Sequence, residues 1–99
     1  MTVPGLAVDA ERLREVCIRY GVARLDVFGS VSRGDAEPGS DVDVLYELAS
    51  GARLGWDIEK LADDLSKVLG RRVDLVSRSA LHERLRDDVL AEALLLYAA

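Results

Sequence analysis

The chain has 99 residues, with 13 basic and 18 acidic side chains and a net charge of −5. This length predicts a single domain over residues 1–99, and the acidic balance argues against a general binder of nucleic acid or anionic membranes. The single cysteine, Cys17, excludes an internal disulfide and a cysteine-built zinc site. No apolar run is long enough to span a membrane, and the first 13 residues do not resemble a secretory signal. We therefore expect a cytoplasmic protein.

The first half of the chain predicts one helix and two strands. Asp9 can cap a helix that Gly21 is suited to end, and this helix carries one apolar face, on which Cys17 is a packing residue. VARLDVF (22–28) is rich in branched and aromatic side chains and predicts a strand. GSVSRGDAEPGS (29–40) predicts a loop, and DVDVLYEL (41–48), which alternates aspartate with valine, predicts a second strand.

The second half predicts two more helices and one or two strands. A helical stripe of apolar residues from Leu54 to Leu69 ends at Gly70, and Trp56 is interpreted as a core or capping aromatic. RRVDLVS (71–77) predicts a third strand, and Ser79 can cap a helix over residues 80–92. ALLLYAA (93–99) suits either a buried helix end or a short strand. The predicted class is α/β or α+β: a small mixed sheet of three to four strands packed with three to four helices.

Three aspartates are candidate metal ligands. Asp41 and Asp43 stand two residues apart in a strand, so they point to one face with Cα atoms about 6.6 Å apart. Two like charges repel, and paired carboxylates suit Mg²⁺, which takes oxygen ligands. If the third strand lies beside the second, Asp74 joins them in a triad that suits two metal ions. Two other interpretations stay open: a solvated strand start for the pair, and an ion pair with Arg71 or Arg72 for Asp74.

The loop before Asp41 is a candidate phosphate site. Gly29 lets the backbone approach a phosphate closely, and the Ser30 hydroxyl adds a donor. Arg33 offers a planar fork for phosphate oxygens, although it is equally interpreted as a solvated loop charge. The loop is not a Walker A motif, because no Gly-Lys-Ser/Thr follows.

These motifs resemble a known family. Gly29-Ser30, ten residues and then Asp41-Val42-Asp43 are similar to the signature of the polymerase-beta-like nucleotidyltransferase superfamily. GSVSRGDAEPGSDVDVL, including Arg33-Gly34 and Ser40, resembles its minimal nucleotidyltransferase branch, and VDLV around Asp74 resembles the strand of the third carboxylate. The resemblance covers roughly residues 10–97. It also implies that the C-terminal LLLY is a strand.

The resemblance implies a Mg²⁺-dependent transfer of AMP from ATP to a hydroxyl, with release of pyrophosphate. In this chain, Gly29 and Ser30 would bind the triphosphate, with Arg33 and Ser40 beside them. Asp41 and Asp43 would hold metal, and Asp74 would be a further ligand or the general base. The branch often acts as the antitoxin of a HEPN-type ribonuclease toxin, which implies adenylylation of a toxin tyrosine.

Two other functions compete with this one. The chain could be a binding module that neutralises a toxin with little catalysis, or a small-molecule nucleotidyltransferase of the aminoglycoside type that needs a partner subunit. An intact acidic triad favours the enzyme, because a pure binder has no need of it. The segment VLAEALLLYAA (89–99) carries more apolar residues than one face buries, so a homo- or hetero-oligomeric interface is also expected.

Overall fold

The described residues fold into a four-stranded mixed sheet with four helices in a computed structural model, which covers residues 8–34, 37, 39–81 and 83–99. The side chains of Ser30 and of residues 83–85 lie outside this description. The elements in chain order are α1 (Ala10–Tyr20), β1 (Val22–Phe28), α2 (Ser30–Arg33), β2 (Val42–Leu48), α3 (Ile58–Leu69), β3 (Val73–Ser77), α4 (Glu83–Glu92) and β4 (Leu94–Ala98). Among these described helices, none has both the length and the apolar character needed to cross a membrane.

The helix α1 begins and ends where the sequence predicts. The Asp9 carboxylate accepts hydrogen bonds from the backbone N–H groups of Glu11 and Arg12, each at 3.2 Å, which caps the first turn. Gly21 ends the helix with φ +71°. A Cβ atom at Gly21 would lie 2.8 Å from the Cβ of Ala52, so glycine is needed both for the left-handed turn and for the close approach.

The sheet has the order β3-β2-β1-β4. The strand β1 is antiparallel to both of its neighbours, β2 and β4, whereas β3 is parallel to β2. α3 forms the crossover between the two parallel strands. The register places Phe28 opposite Asp43 and Asp43 opposite Asp74. These three residues therefore lie side by side on β1, β2 and β3, at one corner of the sheet.

α1 and α3 cover one face of the sheet and form the core. The buried apolar side chains include Leu13, Val16 and Cys17 of α1, Leu61, Leu65, Val68 and Leu69 of α3, and Leu25, Val27, Val42, Val44, Val73 and Leu96 of the strands. Burial raises the pKa of the Cys17 thiol to about 12, so this cysteine is an uncharged packing residue, as predicted. Because strand side chains alternate between faces, Asp43 and Asp74 project from the opposite face.

Three local predictions are wrong. The predicted loop contains the short helix α2 (Ser30–Arg33), in which the Arg33 N–H donates to the Gly29 carbonyl oxygen. Ser79 does not cap α4: it lies in a 3-10 turn, Arg78–Ala80, where its hydroxyl is 2.9 Å from that of Ser77. Trp56 is not a core residue, because its side chain is 98% exposed. The 3-10 turn Gly55–Asp57 turns Trp56 outward, while Leu54 fills the core position.

The C-terminal segment forms the edge strand β4 (Leu94–Ala98), as the resemblance implies. Leu96 is fully buried against the core, whereas the side chain of Leu95 is 45% exposed. The helical alternative for this segment is therefore excluded.

Candidate active site

Asp43 and Asp74 occupy neighbouring positions on the parallel strands β2 and β3. They are register partners, so their side chains leave the same face of the sheet, opposite α1 and α3. Asp41 lies one residue before β2 and is exposed, as is Asp74, whereas Asp43 is half-buried. The prediction that the third strand lies beside the second is confirmed. The fold thus gathers all three predicted carboxylates at one corner.

The electrostatics of this corner centre on Asp43. Burial raises the pKa of the Asp43 carboxyl above its usual range, and the negative charges of Asp74 and Asp41 raise it further. The positive charge of Arg33 lowers the same pKa. Desolvation and like charge both disfavour the ionised form, so the folded protein holds a carboxylate whose charge is not fully compensated.

The residues of this corner fit a hard divalent cation. Carboxylate oxygens are the ligands that Mg²⁺ prefers, and a cation would offset the uncompensated charge at Asp43. Within the described part of the chain, however, no three His, Cys, Asp or Glu side chains form a ready-made metal cluster. The donor set therefore suits an ion that takes its remaining ligands from water and from substrate phosphates.

Gly29 lies directly against the Asp43 carboxylate. It follows β1 with φ +75°, and a Cβ atom there would lie 2.5 Å from Asp43 Oδ2. Any side chain at this position would therefore strain the backbone and displace the carboxylate. A side chain at position 29 would therefore affect both the proposed phosphate contact and the Asp43 carboxylate.

Arg33 and Ser40 both have protein partners. One Arg33 Nη atom lies 3.1 Å from a Glu92 carboxylate oxygen, which joins α2 to α4, and its charge also acts on Asp43. Ser40 contributes its backbone carbonyl, which accepts from the Arg71 guanidinium at 2.7 and 3.1 Å. The backbone of Ser30 begins α2 next to Gly29, while its hydroxyl lies outside the described atoms.

Arg71 is engaged with the loop before Asp41 rather than with Asp74. Besides the Ser40 carbonyl, it donates to the Glu37 carbonyl oxygen at 3.1 Å. No ion pair joins Asp74 to Arg71 or Arg72 among the described residues, so the alternative interpretation of Asp74 finds no support. Arg71 instead holds the end of this loop against β3.

Sequence reasoning missed a second charged group on the same face of the sheet. Asp26, in the middle of β1, is 2% exposed. Its carboxylate accepts from Arg24 at 2.9 and 3.2 Å and from Arg78 at 3.1 Å. The available signal was an acidic residue two positions after a basic one, Arg24, in a strand whose other residues are apolar, since a buried carboxylate needs partners. This ion-pair group ties β1 to the turn that follows β3.

Comparison with known proteins agrees with this geometry. The model of the nucleotidyltransferase domain family matches residues 10–96. Protein adenylyltransferase MntA of Thermococcus cleftensis is 41% identical over 87 residues, which cover 88% of this chain and 84% of that protein. A candidate protein adenylyltransferase of Methanocaldococcus jannaschii, MJ0435, is 36% identical over 78 residues, which cover 79% and 83% of the two chains.

Solved structures share the fold. A candidate minimal nucleotidyltransferase superposes with a TM-score of 0.70 at 44% identity, over 88% of this chain and 90% of that one. A toxin–antitoxin crystal structure with AMP-PNP gives the same TM-score at 21% identity, over 93% and 75% of the two chains. At that identity it shows the fold alone. The matched family, the close structural relative and the corner of aspartates beside Gly29 agree, and the chain belongs to the nucleotidyltransferase domain family, in its minimal branch.

Proposed function

We propose that this nucleotidyltransferase moves AMP from ATP to a tyrosine hydroxyl of a HEPN-type ribonuclease toxin and so acts as its antitoxin. The observation that carries the proposal is the alignment of Asp43 with Asp74 across parallel strands, with Gly29 against the Asp43 carboxylate. Two further findings support it. A similar protein is named protein adenylyltransferase MntA, and the same fold occurs in a toxin–antitoxin structure with AMP-PNP.

Each residue of the corner has a task in this reaction. Asp41 and Asp43 would hold Mg²⁺, with Asp74 as a further ligand, and the bound ion would neutralise phosphate charge. Gly29 lets the backbone lie directly against the Asp43 carboxylate and so beside the triphosphate that the ion would hold, and Arg33 is close enough to act electrostatically on the same corner. Ser30 and Ser40 complete the proposed nucleotide contacts.

The transfer itself is a displacement at the α-phosphorus. The acceptor oxygen forms a bond to that phosphorus, and the bond to the bridging oxygen of the β-phosphate breaks. The electron pair of the broken bond leaves with pyrophosphate. Asp74 would accept the proton of the attacking hydroxyl, and its position beside Asp43, with an exposed side chain, supports this role.

The test uses ATP labelled in the α-phosphate together with the purified toxin. We expect label on the toxin, loss of its ribonuclease activity, and dependence of both on divalent cation. Asp43→Asn should abolish both effects. If the Asn variant still silences the toxin without labelling it, neutralisation works by binding, and the chain is a binding module instead.

A further inference from the structure

A groove of about 430 Å³ runs along the outer edge of β3, next to Asp74. The sheet order leaves that edge of β3 without a neighbouring strand. The wall opposite β3 is α3. Its lining consists of Ile58, Glu59, Ala62, Asp63 and Ser66 on α3, Arg72, and Val73–Leu75 on β3.

The backbone of β3 presents open hydrogen-bonding groups to this groove. The Val42 N–H donates to the Arg72 carbonyl at 2.8 Å, and in a parallel ladder successive residues alternate between the two sides. The backbone N–H and C=O groups of residues 73 and 75 therefore point toward the groove. The Val73 N–H is satisfied by Ser66 Oγ at 3.0 Å. The N–H and C=O of Leu75 remain on the open edge, where an added strand could pair with them.

The groove is acidic along the stretch that adjoins Asp74. Glu59 and Asp63 lie one turn apart on α3, and both are exposed. Neither forms an ion pair with another described residue. Together with Asp74 they outnumber the one cation of the lining, Arg72. A ligand of this stretch should therefore carry positive charge.

Trp56 does not line the groove; it lies in the 3-10 turn Gly55–Asp57, immediately before the α3 residues that do. It lies three residues before Glu59, and three-residue spacing on a helical path places side chains on neighbouring positions of one face. Its 98% exposure has no explanation in the core of this chain. Exposed tryptophans of this kind are frequent anchors of protein interfaces.

ATP and the acceptor protein, the two substrates of the proposed reaction, can approach Asp43 from different sides. The phosphate loop at Gly29 follows β1, on one side of β2, and Asp74 with the groove lies on the other side. In a phosphoryl displacement the attacking and leaving oxygens are roughly in line on opposite sides of phosphorus. The β3 edge is therefore the side from which the acceptor should come.

We propose that this groove binds an extended, basic segment of the acceptor protein, which adds to the edge of β3 as a further strand and packs against Trp56. The proposal rests on the proposed function for the identity of the acceptor. A strand added there would lie about 4.8 Å from β3, so one of its side chains would stand beside Asp74 on the catalytic face. Backbone pairing would supply affinity, and Glu59 and Asp63 would select basic neighbours of the accepting residue.

The first test is a charge reversal with a matched control. Glu59→Lys combined with Asp63→Lys should raise the KM for the purified toxin about tenfold or more at low salt, with a smaller effect at high salt. Asp87→Lys combined with Asp88→Lys makes the same charge change on exposed positions of α4 and should leave that KM within about twofold. Trp56→Ala should raise it about tenfold through lost contact. Unchanged toxin KM values in the groove variants, or a parallel rise in the KM for ATP, would refute the proposal.

The second test follows backbone amides by hydrogen exchange in the complex with the toxin. Slower exchange at Leu75 on toxin binding supports strand addition, and unchanged exchange there contradicts it. This readout separates the two proposals. Protection of Leu75 without AMP transfer would retain the docking site and remove the proposed function. AMP transfer with an unchanged toxin KM in Glu59→Lys/Asp63→Lys would retain the proposed function and remove the docking site. Absence of any complex with the toxin would remove both proposals.

Discussion

At the scale of single residues, Asp43 has opposite effects on stability and on the proposed metal binding. Its ionised form costs stability, but the ionised form is the one that would bind a cation. Burial and the charges of Asp74 and Asp41 raise the pKa of this carboxyl, so the folded state binds its proton more tightly than the unfolded state does. The contribution of Asp43 to stability is therefore most favourable at acid pH, and it declines as pH rises from the usual aspartate range through the raised pKa. At neutral pH the ionised group costs stability that a bound cation would restore.

Asp43→Asn should accordingly stabilise the protein at neutral pH without metal. We expect a gain of about 0.5–2 kcal/mol in the free energy of unfolding, measured by urea denaturation, because the amide carries no charge. Adding Mg²⁺ should raise the melting temperature of the parent and have little effect on the variant. Asp87→Asn, at an exposed position of α4, is the control and should be nearly neutral. A destabilised Asp43→Asn variant would show that this carboxylate is compensated in the fold.

Gly29→Ala should cost more than backbone strain alone. Gly51 has a similar φ, +83°, but a Cβ atom there would meet nothing within 4 Å, so Gly51→Ala measures the strain, about 1–2 kcal/mol. At Gly29 the added Cβ also collides with Asp43 Oδ2. We expect a larger loss of stability for Gly29→Ala, and we expect the excess to vanish when Asp43 is replaced by alanine. Equal costs at the two glycines would contradict the contact.

At the scale of elements, ion pairs connect pieces that the sheet does not join. Asp26 on β1 accepts from Arg78 in the turn after β3, and Arg33 of α2 pairs with Glu92 of α4. The first pair involves a fully buried carboxylate, whereas both partners of the second are about half exposed. Exposed pairs contribute little to stability, but loss of one partner from a buried pair leaves an uncompensated charge.

Asp26→Ala should therefore be severely destabilising. Removal of this carboxylate leaves Arg24 and Arg78 facing each other without it, and we expect a loss of about 3–5 kcal/mol in chemical denaturation. Asp57→Ala, which removes an exposed pair with Lys60, should cost less than about 1 kcal/mol. Asp26→Asn keeps the shape and should retain a folded fraction if the alanine variant does not fold. If Asp26→Ala and Asp57→Ala lowered the free energy of unfolding equally, the buried ion pairs of Asp26 would not stabilise the fold.

At the scale of the whole molecule, sequence patterns predicted the features that local chemistry determines. Asp9 and Gly21 predicted the two ends of α1, and branched and aromatic side chains predicted β1. The alternation of aspartate with valine predicted β2, the strand that contains Asp43. For Asp74 the sequence supplied only a condition, that the third strand lies beside the second, and the parallel pairing of β2 with β3 meets that condition.

Features that depend on distant contacts could not be predicted in this way. Trp56 is exposed in a 3-10 turn that directly follows the buried Leu54, and the local amino-acid pattern does not show which of the two side chains enters the core. The burial of Asp26 depends on Arg78, which is 52 residues away in sequence. The contact of Gly29 with the Asp43 carboxylate requires the register of β1 with β2, which the amino-acid pattern alone does not reveal.

The most direct test of the central claim is single-turnover transfer of labelled AMP from ATP to the toxin by Asp74→Asn. Because the other two aspartates remain, the variant should keep much of its affinity for ATP with Mg²⁺. The amide cannot accept the proton of the attacking hydroxyl, so the transfer rate should fall about 10²-fold or more. Circular dichroism would confirm that the variant is folded. A folded Asp74→Asn variant that transfers AMP at the parent rate would contradict the assignment of this corner of the sheet as the catalytic site.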